Sequence, residues 1–124
     1  METIFDLQYF NGDPNWLATC SYDGTVRIWD SDSMKLLNIC DTNFNSLQQK
    51  REKKIIYSIS WHPNLPLIAI STVNGNLMVY SAKKAKMLGG ITPKIGNPSY
   101  LTKWNQLDPQ YILLSSNNGN VYLI

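Results

Sequence analysis

With 124 residues, a formal net charge of +2 and 44% hydrophobic content, the chain can bury a core of ordinary small-domain size and carries too little charge to require a polyanionic partner. This composition excludes intrinsic disorder, and two cysteines are too few for a disulfide-stapled mini-fold. No apolar run reaches the ~18 residues of a membrane-crossing helix, and a start with Glu2 and Asp6 lacks the pattern of a secretion signal, so a cytoplasmic location is the default expectation.

The first predicted strand is Ile4–Phe10, where Phe5, Leu7 and Tyr9 alternate with Ile4, Asp6 and Gln8. Gly12-Asp13-Pro14-Asn15 reads as a connection, because proline fixes φ and removes a donor. Leu17–Ser21 follows, then Asp23-Gly24, a two-residue hairpin turn in which both residue types tolerate positive φ. Thr25–Asp30 places Thr25, Arg27 and Trp29 opposite Val26 and Ile28, and Met34–Cys40 is a fourth, outer strand. Cys20 and Cys40 are then separated by a whole strand, about 10 Å, which is beyond disulfide reach. Both are expected to be free buried thiols.

Residues 41–54 read as an inserted polar loop, since Phe44–Lys54 is polar all round. The pattern then resumes with Ile56–His62, a turn through Pro63 and Pro66, Leu67–Ser71, Asn74-Gly75 and Asn76–Ser81. Lys86–Ile91 contains Gly89 and Gly90 and is expected to be a weak or bulged edge strand. A last series runs from Ser99–Asn105 through a turn at Pro109 to Tyr111–Ser116, Asn118-Gly119 and Asn120–Ile124.

The three series share one frame. Aromatic pairs Phe5/Tyr9, Tyr57/Trp61 and Tyr100/Trp104 open them, and the turns at Gly24, Gly75 and Gly119 recur at the same later point. Such a repeat of about 40–45 residues is one supersecondary unit that must stack on its neighbours to bury its faces. The two-sided apolar runs Leu67–Ile70 and Tyr111–Leu114 agree, as strands buried between sheets. The chain is thus predicted to be all-β, with unit one over 1–40, unit two over 55–92 and an incomplete unit three over 98–124. Four-stranded antiparallel sheets repeated radially describe a β-propeller blade.

Within this frame, Leu17–Asp30 (LATCSYDGTVRIWD) resembles the core signature of the WD-repeat family of β-propellers. The resemblance implies a hydrogen-bonded network that locks the blade, made from Asp23, Trp29 and a hydroxyl from Thr19 or Ser21. The family's histidine ahead of the first strand has no counterpart here. Tyr80 stands in place of the signature Trp in unit two, and Ile124 in unit three. Residues just before the turn Asp often face a partner-binding surface in this family, which nominates Tyr22, Val73 and Asn117. A narrower similarity, carried by Glu2–Asp6, Asp13-Pro14-Asn15 and Ile56–Trp61, is to one large multi-repeat scaffold of the family.

No catalytic, metal or cofactor site is expected. The single histidine, His62, lies in a proline-flanked turn and reads as structural, the two cysteines are far apart, and no phosphate-cradling glycine motif occurs. The remaining class is binding: a scaffold segment whose partners are other protein chains or further blades of a longer chain. An alternative is a nucleic-acid edge formed by Lys50, Arg51, Lys53, Lys54, Lys83, Lys84 and Lys86, disfavoured because no stacking aromatics interleave these charges. Propellers close with 4–8 blades, so a ring of seven needs roughly 300 residues, and blades from elsewhere are expected to complete this one.

Overall fold

The computed structural model describes residues 3–42, 44–45, 50–51, 55–72, 77–91, 99–116 and 121–123, and among them every regular element is a strand. Strands β1 (Ile4–Phe10), β2 (Asp13–Ser21), β3 (Thr25–Asp30) and β4 (Lys35–Asp41) form an antiparallel sheet in chain order. A second sheet has the same order with β7 (Ile56–Trp61), β8 (Leu67–Thr72), β9 (Leu77–Ser81) and β10 (Lys86–Ile91). The third comprises β11 (Ser99–Trp104), β12 (Ile112–Ser116) and β13 (Val121–Leu123). Between the first two, β5 (Phe44–Asn45) and β6 (Lys50–Arg51) pair as a small ribbon, so the insertion expected to be a loop carries its own hairpin.

Two turn assignments need correction. Pro14 lies inside β2 rather than in a connection, at a place where the ladder jumps from the Tyr9↔Leu17 pair to Phe10↔Asp13. The residues of such an irregularity owe no ladder hydrogen bond, so a proline is tolerated there. The Asp23-Gly24 hairpin is a three-residue loop, Tyr22–Gly24, closed by Gly24 N–H donating to Ser21 O at 3.1 Å. Only Gly24 takes positive φ, at 82°, the arrangement of a turn followed by a left-handed glycine bulge. The Asn74-Gly75 and Asn118-Gly119 turns lie outside the described residues.

The first strand of each sheet repeats one irregularity. Its ladder to the second strand shifts register between Ile4 and Asp6, between Ile56 and Ser58, and between Ser99 and Leu101. Phe5, Tyr57 and Tyr100 are therefore the extra residues of three equivalent bulges. Bulges re-aim the side chain they carry. In the outer strand β10 the ladder also breaks between Met87 and Gly89, where the glycines offer no side chain to pack.

The sheets stack through alternate faces. Ala18, Cys20, Val26, Ile28 and Cys40 of sheet one bury against Ile59, Trp61, Ile68, Ile70 and Tyr80 of sheet two. The other face of sheet two offers Ala69 and Leu77 to Trp104, Ile112 and Leu114 of sheet three. Strands β1, β7 and β11 lie side by side along the inner edge. Their polar side chains join one sheet to the next: Asp6 Oδ2 accepts from Ile59 N (3.2 Å), Ser58 Oγ accepts from Thr102 N (3.1 Å), and Ser60 Oγ accepts from Trp104 N (2.8 Å).

Candidate functional site

The residues nominated for the blade network divide into two adjoining pieces. Trp29 Nε1 donates to Thr19 Oγ1 at 3.0 Å, tying β3 to β2, while Ser21 Oγ accepts from Asp23 N at 3.2 Å in the turn. Two residues that the sequence reading left out complete the turn. Thr25 donates to Asp23 Oδ1 from its N (3.0 Å) and its Oγ1 (2.6 Å), and the Arg27 guanidinium stands 3.8 Å from Asp23 Oδ2. Burial opposes the Asp23 charge, but the Thr25 hydrogen bonds and Arg27 outweigh it and hold the carboxyl below its ordinary value. The signal for Thr25 was local, since an Asp bonding two residues on is a common turn device.

Sheet two replaces both members of the Trp29–Thr19 pair. The strand registers align Tyr80 with Trp29 and Ile70 with Thr19. With no hydroxyl to meet, the Tyr80 phenol reaches instead to the preceding sheet and donates to Asn38 Oδ1 at 3.0 Å, while Asn38 Nδ2 donates to Ala82 O at 3.3 Å. A bond within the first sheet has become a bond between sheets.

At the Gly24 end of the sheets, the re-aimed Phe5 ring stands 4.9 Å edge-on from Tyr57 and 6.3 Å from Tyr22. Phe5 is 41% exposed, whereas Tyr22 and Tyr57 are half-buried. The Tyr22 backbone is fixed by donation to Thr3 O at 2.9 Å. Tyr22, nominated from its place before the turn Asp, thus shares a surface with two aromatics taken only as strand anchors, and the bulges that put them there were not visible in the alternation. Tyr100 holds the same register position in sheet three; Val73 and Asn117 lie outside the described residues.

The opposite end of β1, β7 and β11 bounds a cavity of about 580 Å³, lined by Gln8, Asn11, Ser60, His62, Lys103 and Asn105 among others. Its indoles are already engaged, Trp61 Nε1 with Gln8 O (2.9 Å) and Trp104 Nε1 with Pro109 O (2.7 Å). His62 Nδ1 accepts from Asn64 N (3.1 Å) and Leu65 N (3.0 Å), which commits the ring to holding its turn. Burial lowers its pKa from 6.5, so the unfolded chain takes up a proton first as pH falls. The His62 contribution should be intact above about pH 6.5 and decline as acidification passes towards the folded-state value. Denaturant midpoints between pH 7.5 and 5 should show this slope, and His62→Asn, which removes the only histidine, should flatten it.

The basic residues do not converge on one surface. Lys83, Lys84 and Lys86 are exposed around the β9–β10 turn, at the end of the sheet away from Thr72 of β8 and Leu77 of β9. The β5–β6 ribbon, with Lys50 and Arg51 in its backbone, departs from the other end, where Thr42 bonds Gly24 O. Lys53 and Lys54 lie outside the described residues. Cys20 and Cys40 flank Val26 on either side of β3, both buried and unpaired, and burial pushes each thiol up to about 12. Among the described residues no three His, Cys, Asp or Glu gather as a metal set, and no helix is long and apolar enough to cross a membrane.

Comparison with known proteins agrees with this geometry. The family described as WD domain, G-beta repeat matches residues 2–30. Protein transport protein SEC31 of Yarrowia lipolytica is 25% identical over 97% of the chain, and Coronin-7 of Mus musculus is 28% identical over 69% of it. The chain spans only 10% and 8% of those proteins. Among solved structures, the Cps50 (Swd1) β-propeller domain of Myceliophteria thermophila superposes with a TM-score of 0.78 at 16% identity, over 99% of this chain and 35% of that one. With the WD domain, G-beta repeat signature matched over residues 2–30 and further antiparallel sheets of the same design stacked beside the first, the chain has the fold of part of a β-propeller.

Proposed function

We propose that residues 1–124 are a non-catalytic segment of a WD-repeat scaffold, with units over 1–40, 55–92 and 98–124, that holds other proteins through the aromatic surface at its Gly24 end. The observation that carries this reading is the Phe5–Tyr22–Tyr57 cluster, where a bulge turns an apolar ring to 41% exposure beside two tyrosines. Rigid aromatics around a partly buried centre are the usual anchors of protein interfaces. Similarity to two larger proteins, of which this chain spans a tenth or less, supports a part played within a longer polypeptide or an assembly.

The test is quantitative capture of partners by the intact natural protein carrying Phe5→Ala with Tyr22→Ala. Loss of an anchor pair should weaken the principal partner about thirtyfold or more. A variant that keeps its circular dichroism and its full set of partners would refute the aromatic surface.

A further inference from the structure

The stacking device described above stops at the third sheet, although its geometry continues. At each of the two interior junctions, one strand presents a polar acceptor to the backbone N–H of the next, from Asp6 to Ile59 across 53 residues and from Ser58 and Ser60 to Thr102 and Trp104 across 44. Ser58 and Ser60 sit in β7 directly after its bulge and two residues further on. The same two places in β11 are Leu101 and Lys103, since the ladder there breaks between Ser99 and Leu101. Leucine cannot accept a hydrogen bond, and an ammonium can only donate. A sheet docking by the interior pattern would leave its inner-strand N–H groups buried opposite Leu101 and Lys103, at a cost no interface tolerates lightly.

The face itself has the character of an interface. Leu101 is 48% and Val121 69% exposed, and with Leu113 they border an apolar hollow of about 160 Å³ that Lys103 edges. Among the described residues, Lys103 has no ion-pair partner. A second copy of this chain is a poor occupant, because its free first-sheet face presents Leu7, Tyr9, Arg27 and Trp29 by the alternation of β1 and β3, and the carboxylate beside them, Asp23, is already engaged by Thr25 and Arg27.

We infer that this face is covered by a further β-sheet from outside residues 1–124, whose inner strand brings an Asp or Glu carboxylate to Lys103 in place of the N–H donor used at the interior junctions. The inference rests on reading the chain as part of a larger propeller. A buried ammonium needs an anionic partner, and the apolar rim of Leu101, Leu113 and Val121 supplies the desolvated surround that makes such a pair selective.

Zero-length carbodiimide coupling of the intact natural protein, followed by peptide mass spectrometry, reads the junction directly. The expected product joins Lys103 to an Asp or Glu outside residues 1–124, and Lys103 should be acetylated about tenfold more slowly than exposed Lys83. Lys103→Glu should lower the unfolding midpoint, and exchanging the coupled acid for Lys should restore it. Acetylation of Lys103 as fast as Lys83, or coupling only between copies of residues 1–124, would overturn the inference. Partner loss in the Phe5/Tyr22 variant combined with a freely reactive Lys103 would overturn this junction while leaving the scaffold reading intact.

Discussion

Trp61→Ala is expected to destabilise the protein by about 3–5 kcal/mol, the range for removing a buried large aromatic. Trp61 is 5% exposed and sits where the first two sheets meet, its ring stacked on Phe10 at 4.8 Å and 6.4 Å from Trp16. The Phe10 ring is held from the other side by Gly12, where a Cβ would come within 2.5 Å of it. The close approach of Gly12 confines the Phe10 ring, so part of the vacated space would persist as a cavity. The indole's bond to Gln8 O contributes less. Trp61 and Gln8 both line the 580 Å³ cavity, and water entering there can replace the lost donor. Trp61→Phe keeps an aromatic ring beside Phe10 but gives up the hydrogen bond and part of the indole's volume, so it should cost less than the alanine, about 1–3 kcal/mol. Urea denaturation of the intact protein should rank the two in that order. Equal losses would mean that the hydrogen bond rather than the packing holds the junction.

The parts of the fold legible in the sequence are those set by neighbours along the chain. Alternation in Thr25–Asp30 located a strand because its Val26 and Ile28 face is buried; in Ile4–Phe10 it located the strand but not the covered face, since Leu7 and Tyr9 are exposed and Asp6 and Gln8 are the half-buried side. The Asp23-Gly24 dipeptide located a hairpin, though not its length, which depends on whether Asp23 or only Gly24 turns left-handed. The bulges at Phe5, Tyr57 and Tyr100 were hidden because one extra residue leaves the local pattern almost unchanged and matters only when the partner strand is in place. Pro14 misled for the same reason.

Features set by contacts between sheets were harder to read. Ser58 and Ser60 look like the solvent side of an amphipathic strand in Ile56–Trp61, yet both are buried, because β7 is covered on both faces. Tyr80 reads as a weakened signature residue until the register shows Ile70 where its hydroxyl partner would stand. The two replacements together free the phenol for Asn38 of the preceding sheet. Thr19, Asp23 and Trp29 were readable because their whole network lies within one unit.

Among the described residues, Ser58→Ala should be the most damaging change of a single oxygen. Ser58 is fully buried, and its Oγ both accepts from Thr102 N (3.1 Å) and donates to Thr102 O (3.3 Å), with Thr102 itself fully buried. Alanine removes both partners at once. Each orphaned buried group costs about 1–3 kcal/mol, so the pair together should cost roughly 2–5 kcal/mol. Ser60→Ala is the informative contrast. It deprives Trp104 N of its acceptor at 2.8 Å, but Ser60 and Trp104 line the open cavity, where water can substitute. Its cost should therefore be the smaller of the two, even though its hydrogen bond is the shorter. Amide exchange distinguishes a local from a global effect: in Ser58→Ala the amides of β11 and β12 should exchange faster while those of β2 and β3 keep their protection, because sheet three is the part held by this hydroxyl. If Ser58→Ala and Ser60→Ala cost the same, desolvation does not govern this junction, and the contrast drawn with Leu101 and Lys103 on the opposite face of the third sheet loses its physical basis.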